Sequence, residues 1–166
     1  MRNRFALPFL LLAALGVPTA AAGQKAVIVV RHAENDDGTL TEAGRAQAQR
    51  LALVLRSAGL AAVYSTDSKR TIATATPAAE AQRLKVQLYD TTDPAKGLDA
   101  TPFVSKLRKE HGNDAVLVVG HVMTIPNILK VLGCAEDITI APRDYDDLFI
   151  VMPKGEGPAT LVRLKY

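Results

Sequence analysis

Residues 27–35 read VIVVRHAEN, and this stretch predicts the class of fold. The aliphatic residues 27–30 are all β-branched and follow one another without a polar interruption, which is typical of a strand buried on both faces of a parallel sheet. The strand ends abruptly at Arg31 and His32. Because parallel sheets place their ligand sites at the carboxyl ends of strands, this change of residue type predicts a site at that point.

The remainder of the chain alternates between strand-like and helix-like patterns. A second aliphatic run, over residues 114–120, also ends in a histidine, His121. The alternation predicts one α/β domain, a three-layer α/β/α sandwich with a mainly parallel central sheet. The predicted strands cover residues 25–30, 61–65, 85–89, 114–120, 147–152 and 159–166, and the predicted helices cover 42–57, 67–76, 78–83, 101–111 and 124–133, with Pro77 interrupting the second.

The first 22 residues have the pattern of a secretory signal peptide. Arg2 and Arg4 precede an apolar run over residues 5–17, and small residues follow up to Ala22. We therefore expect cleavage after Ala22, a mature domain over residues 23–166 in the periplasm or outside the cell, and no stable membrane insertion after cleavage. The alternative is an uncleaved anchor helix.

Charge and cysteine content narrow the possible partners. The formal net charge of the full chain is +3, and removal of Arg2 and Arg4 would take it to +1, which argues against nucleic acid or a membrane surface as a partner. The only cysteine, Cys134, has no internal disulfide partner and is predicted to be buried and inert. Three histidines and one cysteine in no ligand spacing predict no metal site, and no cofactor is expected. The oligomeric state is left open.

Two arginines and two histidines carry the predicted chemistry. Arg31, His32 and His121 follow strands, and Arg70 falls in the first turn of a predicted helix. Two planar guanidinium groups around one point would match the oxygens of a phosphoryl group. A neutral histidine between them could attack phosphorus, and the arginines would keep its pKa low.

Four motifs in this order resemble the histidine phosphatase superfamily, which has the phosphoglycerate mutase-like fold. They are V-R-H-A-E at 30–34, L-T-E-A-G-R at 40–45, Y-S-T-x-x-x-R-T-x-x-T-A at 64–75 and V-V-G-H at 118–121. The resemblance implies that His32 becomes a phosphohistidine, that Arg31 and Arg70 clamp the phosphate, and that His121 binds the transferring phosphoryl group. Water would then hydrolyse the phosphohistidine without a metal ion.

The chain also departs from its relatives. Ala33, Glu34 and Asn35 stand where many of them have Gly-Glu-Thr, and Val122 stands where the phytase-like branch has an aspartate proton donor. Asp90 is the candidate general acid, with a solvated loop carboxylate as the alternative, and Asn35 is a candidate donor to the phosphate.

Six further residues are interpreted as structural. Ser65 is predicted to cap the following helix, Arg45 to pair with carboxylates near the first loop, and His111 to be exposed at a helix end. Glu34 could orient the first loop or be a surface charge. Tyr145 and Asp147 are predicted to shape the fold outside the arginine clamp.

The resulting expectation is an exported phosphatase that hydrolyses a small phosphomonoester through a phosphohistidine on His32. The alternatives are a protein phosphohistidine phosphatase, a phosphoglycerate mutase, and a catalytically weak phosphate-binding module.

Overall fold

The central sheet and its helices follow the predicted alternation. In a computed structural model that describes residues 26–154 and 156–166, ten strands and four helices are present. The strands are β1 (Ala26–Arg31), β2 (Asn35–Asp36), β3 (Thr39–Leu40), β4 (Leu60–Ser65), β5 (Val86–Leu88), β6 (Thr92–Asp93), β7 (Gly97–Leu98), β8 (Ala115–Gly120), β9 (Asp147–Met152) and β10 (Thr160–Lys165), and the helices are α1 (Glu42–Leu55), α2 (Lys69–Ala81), α3 (Thr101–Glu110) and α4 (Thr124–Leu132).

The main sheet has six strands in the order β10-β9-β1-β8-β4-β5. Strands β1, β8, β4 and β5 run parallel, and β9 runs antiparallel to β1, so the mainly parallel sheet is confirmed. The carboxyl ends of β1, β8 and β4 therefore lie side by side. Because β9 is antiparallel, the segment that precedes it reaches the sheet at this same end.

Helices cover both faces of the sheet, which confirms the three-layer arrangement. On one face, Ile28 and Val30 of β1 pack with Leu51 of α1 and Ala78 of α2. On the other face, Val27 and Val29 pack with buried residues of α3 and α4, among them Phe103, Leu107, Ile128 and Leu132. Successive residues of β1 thus face opposite sides of the sheet. Because both sides are covered by apolar layers, the strand is aliphatic without interruption.

Two short hairpins occur where the sequence analysis expected loops. Strands β2 and β3 pair across Asp37 and Gly38, whose φ values are +44° and +77°. Two successive positive φ angles are typical of a type I′ turn, and Asp-Gly is a preferred pair for that turn. The second hairpin joins β6 to β7.

Helix α2 continues through Pro77, so the predicted interruption is wrong. Proline removes one N–H donor from the helix, but residues on both sides of it are held by packing. Ala75, Ala78 and Ala79 are buried against the sheet. Because the buried face of α2 spans the proline, tertiary contacts keep the two segments in one helix.

Residues 1–25 lie outside the described part of the chain, so the predicted signal peptide and its cleavage site remain predictions. Within the described part, no helix is long and apolar enough to cross a membrane. Cys134 is 8% exposed, which confirms that it is buried. Burial raises the pKa of its thiol, with a smaller contribution from Glu136.

Candidate active site

His32 follows the last residue of β1 and is held in one orientation. Its backbone N–H donates to the carbonyl of Gly120 at 2.9 Å, which continues the β1–β8 ladder. The ring Nδ1 lies 2.9 Å from the carbonyl oxygen of Ala33. Since a carbonyl oxygen only accepts, Nδ1 carries the hydrogen and Nε2 keeps the lone pair. The ring therefore has the tautomer that a nucleophile requires at Nε2.

The surroundings keep the imidazole of His32 neutral. The pKa of His32 is lowered from 6.5 to about 4. Burial is the main cause, the hydrogen bond that Nδ1 donates to the carbonyl of Ala33 opposes it, and the positive charges of Arg31 and Arg70 add to the lowering. The side chain is only 5% exposed. A neutral ring at physiological pH is the form that can attack an electrophile.

The ring protons of His32 are expected to titrate near pH 4 in an NMR experiment, because the charged form is disfavoured in the folded protein. The unfolded chain would take up this proton near pH 6.5. The contribution of His32 to the free energy of unfolding should therefore be fully present above that pH and decline as the pH falls toward 4. The His32→Ala spectrum identifies the signal. A midpoint at pH 6.5 would contradict the proposed environment.

Arg31 is fixed by the segment that precedes β9. Its Nη1 donates to the carbonyl oxygens of Ala141, Pro142 and Asp144 at 3.3, 2.9 and 3.3 Å. The guanidinium carbon lies 4.1 Å from the centre of the Tyr145 ring. We call residues 141–145 the Arg31 socket.

The socket does not satisfy one buried donor of Arg31. The residue is 7% exposed, and its Nε is buried without a hydrogen-bond partner among the described residues. A buried, unsatisfied donor is costly, particularly on a charged group. Arg31 also lines the adjacent cavity, where an anion would compensate its positive charge.

Arg70 and His121 contact each other across the sheet edge. Arg70 Nη2 lies 3.3 Å from His121 Nδ1, and His121 Nε2 lies 2.9 Å from the hydroxyl of Thr66. Because arginine only donates, Nδ1 accepts and Nε2 carries the hydrogen. Burial lowers the pKa of His121, followed by the charges of Arg70 and Arg31, so this ring is also kept neutral.

The predicted clamp residues Arg31 and Arg70 meet at one cavity of about 470 Å³, which we call the clamp cavity. The rings of His32 and His121 are 5.3 Å apart between centroids. The cavity is lined by Arg31, His32, Asn35, Arg70, His121, Val122, Met123 and Thr124. The arrangement brings two permanent cations and two neutral imidazoles together, with Asn35 at the margin, where its Nδ2 lies 3.4 Å from His32 Nδ1.

Asp90 lies outside this cavity, in a neighbouring one that also contains His121 and Thr124. Its carboxylate accepts hydrogen bonds from the hydroxyl and the backbone N–H of Thr92. The side-chain bond from Thr92 is the main cause that lowers the pKa of Asp90. A general acid must hold a proton at working pH, so the surroundings of Asp90 work against that role.

Three residues at the site were missed or misplaced by the sequence analysis. Tyr145 was predicted to lie outside the clamp, yet it stacks on Arg31, and its ring centroid is 5.9 Å from that of His32. Thr66 orients His121, and Thr74 accepts from the backbone N–H of Ala33 at 2.9 Å. Both threonines belong to the Y-S-T-x-x-x-R-T-x-x-T-A motif, so that motif was a usable signal. Tyr145 carried no comparable one.

Replacing Tyr145 with alanine is expected to weaken tungstate binding about tenfold, because a partly desolvated cation–π contact would be lost and Arg31 could leave its position. Tyr145→Phe retains the ring and should bind within about twofold of the wild type. Isothermal titration calorimetry measures the affinity. Equal losses in the two variants would show that the stacked ring is not what holds Arg31.

The loop after His32 rests on α1. The carboxylate of Glu34 accepts from the hydroxyl of Thr41 at 2.8 Å, and that hydroxyl also accepts from the backbone N–H of Gly44. A Cβ added to Gly44 would lie 1.9 Å from the carbonyl oxygen of Glu34. Thr41 is therefore the N-cap of α1, Glu34 orients the loop, and Gly44 is needed for close packing of the helix.

Three structural interpretations need correction, and one agrees with the contacts. Ser65 is buried and donates to the carbonyl of Thr66, whereas Ser68 occupies the N-cap position of α2. Arg45 donates to the carbonyl of Leu40 at 2.8 Å, and no carboxylate partner is found for it among the described residues. His111 contacts the hydroxyl of Tyr64 and the carboxylate of Asp114, so it is not freely exposed. Asp147 is buried and pairs with Arg163 on β10, away from the clamp.

Within residues 26–154 and 156–166, no group of three or more histidine, cysteine, aspartate or glutamate side chains is placed to hold a metal ion. The positive charge at the cavity is supplied by Arg31 and Arg70.

Fold and site together define a phosphoglycerate mutase-like α/β protein with a pocket suited to a tetrahedral oxyanion. Residues 23–92 match the family model "Histidine phosphatase superfamily (branch 1)". Over these residues the chain is similar to this superfamily.

Similar solved structures extend the comparison over most of the chain. The protein histidine phosphatase SixA, solved with tungstate, is 17% identical with a TM-score of 0.66, and the match covers 84% of this chain and 96% of that one. A mycobacterial glucosyl-3-phosphoglycerate phosphatase is 16% identical (TM-score 0.64; coverage 86% and 98%). YhfR from Bacillus stearothermophilus is 18% identical (TM-score 0.65; coverage 82% and 95%). At these identities the likeness concerns the fold. No curated protein matches the sequence.

Proposed function

We propose that this protein is an exported phosphatase that hydrolyses a phosphomonoester through a phosphohistidine on His32. The observation that carries the proposal is the state of His32, a neutral ring with its Nε2 free at a cavity that also presents Arg31 and Arg70. The superfamily and its structural neighbours, which include phosphatases, support the reaction class. Export rests on the residue pattern of the first 22 residues.

In the first step, the lone pair on His32 Nε2 attacks phosphorus, and the bond from phosphorus to the leaving oxygen breaks. Arg31, Arg70 and His121 surround the transferring group, where the two guanidinium charges offset the charge on its oxygens. The leaving oxygen takes up a proton. In the second step, water attacks phosphorus, the P–N bond breaks, and inorganic phosphate leaves with His32 neutral again.

The group that protonates the leaving oxygen determines which leaving groups the protein can release. Asp90 is the candidate donor, although its hydrogen bonds from Thr92 favour the ionised form. Among the described residues that line the clamp cavity, none is a carboxylic acid. This observation favours leaving groups that need little protonation, and it supports a second candidate function, the hydrolysis of a phosphorylated histidine.

The other two alternatives have less support. A phosphoglycerate mutase would act on cytosolic glycolytic substrates, which the proposed export makes inaccessible. A phosphate-binding module would need the clamp alone, whereas the tautomer of His32 is set for attack.

The test is turnover of p-nitrophenyl phosphate by residues 23–166 in the presence of a chelator. This ester has a good leaving group, so we expect release of nitrophenol whether or not Asp90 acts as an acid. Asp90→Asn is assayed beside it with an alkyl phosphate, whose poor leaving group would make loss of a proton donor visible. Phosphate binding without any product would support the binding module and overturn the proposal.

A further inference from the structure

A second cavity adjoins the clamp and has the opposite electrostatic character. Its volume is about 550 Å³, and it shares His121 and Thr124 with the clamp cavity. Its remaining lining consists of Thr66, Asp67, Leu88, Tyr89, Asp90, Thr91 and Thr92. We call it the Asp67–Asp90 cavity. The clamp cavity contains two arginines and no carboxylate, whereas this one contains two carboxylates and no lysine or arginine.

Both carboxylates are accessible to a ligand. Asp67 and Asp90 are exposed. The oxygens of Asp90 are oriented by Thr92, whose hydroxyl lies 2.8 and 2.7 Å from them. Those hydrogen bonds also lower the pKa of Asp90, so the carboxylate is negative at neutral pH. The threonines on this wall add hydroxyl groups that can bind polar atoms of a ligand.

The two cavities share His121 and Thr124 as lining residues, so a substrate held at the clamp can extend past His121 toward the second cavity. Arg31 and Arg70, which line the clamp cavity, mark the phosphoryl end. The group attached to the phosphoryl oxygen must then extend out of the clamp, and the Asp67–Asp90 cavity is the space that opens beside His121. A negative leaving group would meet two carboxylates there, and a positive one would be attracted.

We infer that the Asp67–Asp90 cavity binds the leaving group and selects substrates in which this group carries a protonated amine. The inference rests on the proposed phosphatase function and adds the substrate class to it. The cavity should disfavour phosphomonoesters whose leaving group carries a carboxylate. Among substrates with a neutral leaving group, it should favour those with hydroxyl substituents. The ligand chemistry is thus a phosphoryl group at one end and a cation at the other.

The experiment compares three phosphomonoesters of similar size, which are 2-aminoethyl phosphate, 2-hydroxyethyl phosphate and phosphoglycolate. For the wild type we expect kcat/KM to decrease in that order, with about a tenfold preference for the amine over the hydroxyl compound. Each exposed ion pair should contribute about threefold to fivefold. A phosphorylated lysine-rich peptide is assayed in parallel. Faster turnover of the peptide than of 2-aminoethyl phosphate would indicate that the preferred amine belongs to a protein substrate.

Asp67→Asn, Asp90→Asn and the double variant identify the source of the preference. The measured quantity is the ratio of kcat/KM for the amine and hydroxyl compounds, because a loss of acid catalysis in the Asp90 variants slows both alkyl esters and cancels in the ratio. Each single variant should lower this ratio about threefold to fivefold, and the double variant should abolish it. Asp93→Asn, which makes the same change in the same loop but outside the cavity, should leave the ratio within about twofold.

A salt titration of the wild type is the second measurement, and it needs no variant. The preference for the amine should decline between 0.05 and 0.5 M salt, since exposed ion pairs are screened. If all esters, including p-nitrophenyl phosphate, fail to react, the proposed function is wrong and the inference with it. If p-nitrophenyl phosphate reacts and the ratio is the same in the wild type and the double variant, only the inference is overturned.

Discussion

His32→Ala is expected to lower phosphatase turnover by about 10⁴- to 10⁶-fold, the range seen when a covalent nucleophile is removed. The reason is that Nε2 of His32 is the free imidazole nitrogen that the structure leaves available at the clamp, with Nδ1 committed to the carbonyl of Ala33. His32 follows β1, beyond the packed aliphatic residues 27–30, so alanine should leave the sheet intact. The measurement is the initial rate with p-nitrophenyl phosphate.

A trapping experiment identifies the intermediate directly. Enzyme mixed with ³²P-labelled substrate and quenched in alkali should retain label on the protein, whereas acid should release it, because a phosphoramidate is labile in acid. His32→Ala should carry no label under either condition. His111→Ala is the matched control, since His111 contacts Tyr64 and Asp114 far from the clamp. Full activity in His32→Ala would refute the mechanism.

Arg70→Ala is expected to reduce kcat/KM by about 10²- to 10³-fold, the cost of removing one charge-stabilising donor from a transition state. Arg70 lines the clamp cavity, and its Nη2 contacts His121, so the substitution removes both a cation and the partner of a second site residue. Tungstate affinity should fall in parallel. Arg70→Lys keeps the charge but loses the planar fork, so it should recover only part of the rate.

Lys69→Ala tests whether the rate depends on direct contact between Arg70 and the phosphoryl group or only on positive charge nearby. Lys69 precedes Arg70 in α2 but does not line the cavity, so its loss should change the rate by less than about threefold. If Lys69→Ala and Arg70→Ala had equal effects, general positive potential would account for the rate and the clamp would not. Thermal unfolding of both variants shows whether each is folded.

Much of the architecture could be predicted from local patterns. The aliphatic runs 27–30 and 116–119 occupy adjacent central strands, where burial on both faces excludes polar residues. Arg31, His32 and His121 could be placed at one edge because the carboxyl ends of parallel strands meet there. The helix boundary at Thr41 was predictable for a similar reason, since its hydroxyl satisfies a free N–H of the first turn.

The errors arose where the contact partner is distant in sequence. Tyr145 follows Arg31 by more than a hundred residues and reaches it because β9 returns antiparallel beside β1. His111 was predicted to be exposed, but it packs against Tyr64 on β4. Pro77 was expected to interrupt α2, but burial of Ala75 and Ala78 on either side of it keeps the helix continuous.

The order of residues was therefore sufficient for the six strands of the central sheet, its mainly parallel arrangement and the identity of the charged groups at its edge, since these depend on local periodicity and on one rule of sheet geometry. The folded chain was needed for the tautomer of His32, the unsatisfied buried donor of Arg31, the stacking of Tyr145, and the separation of two arginines from two carboxylates in adjoining cavities. Such features depend on distances between segments far apart in the chain, and no local pattern encodes those distances.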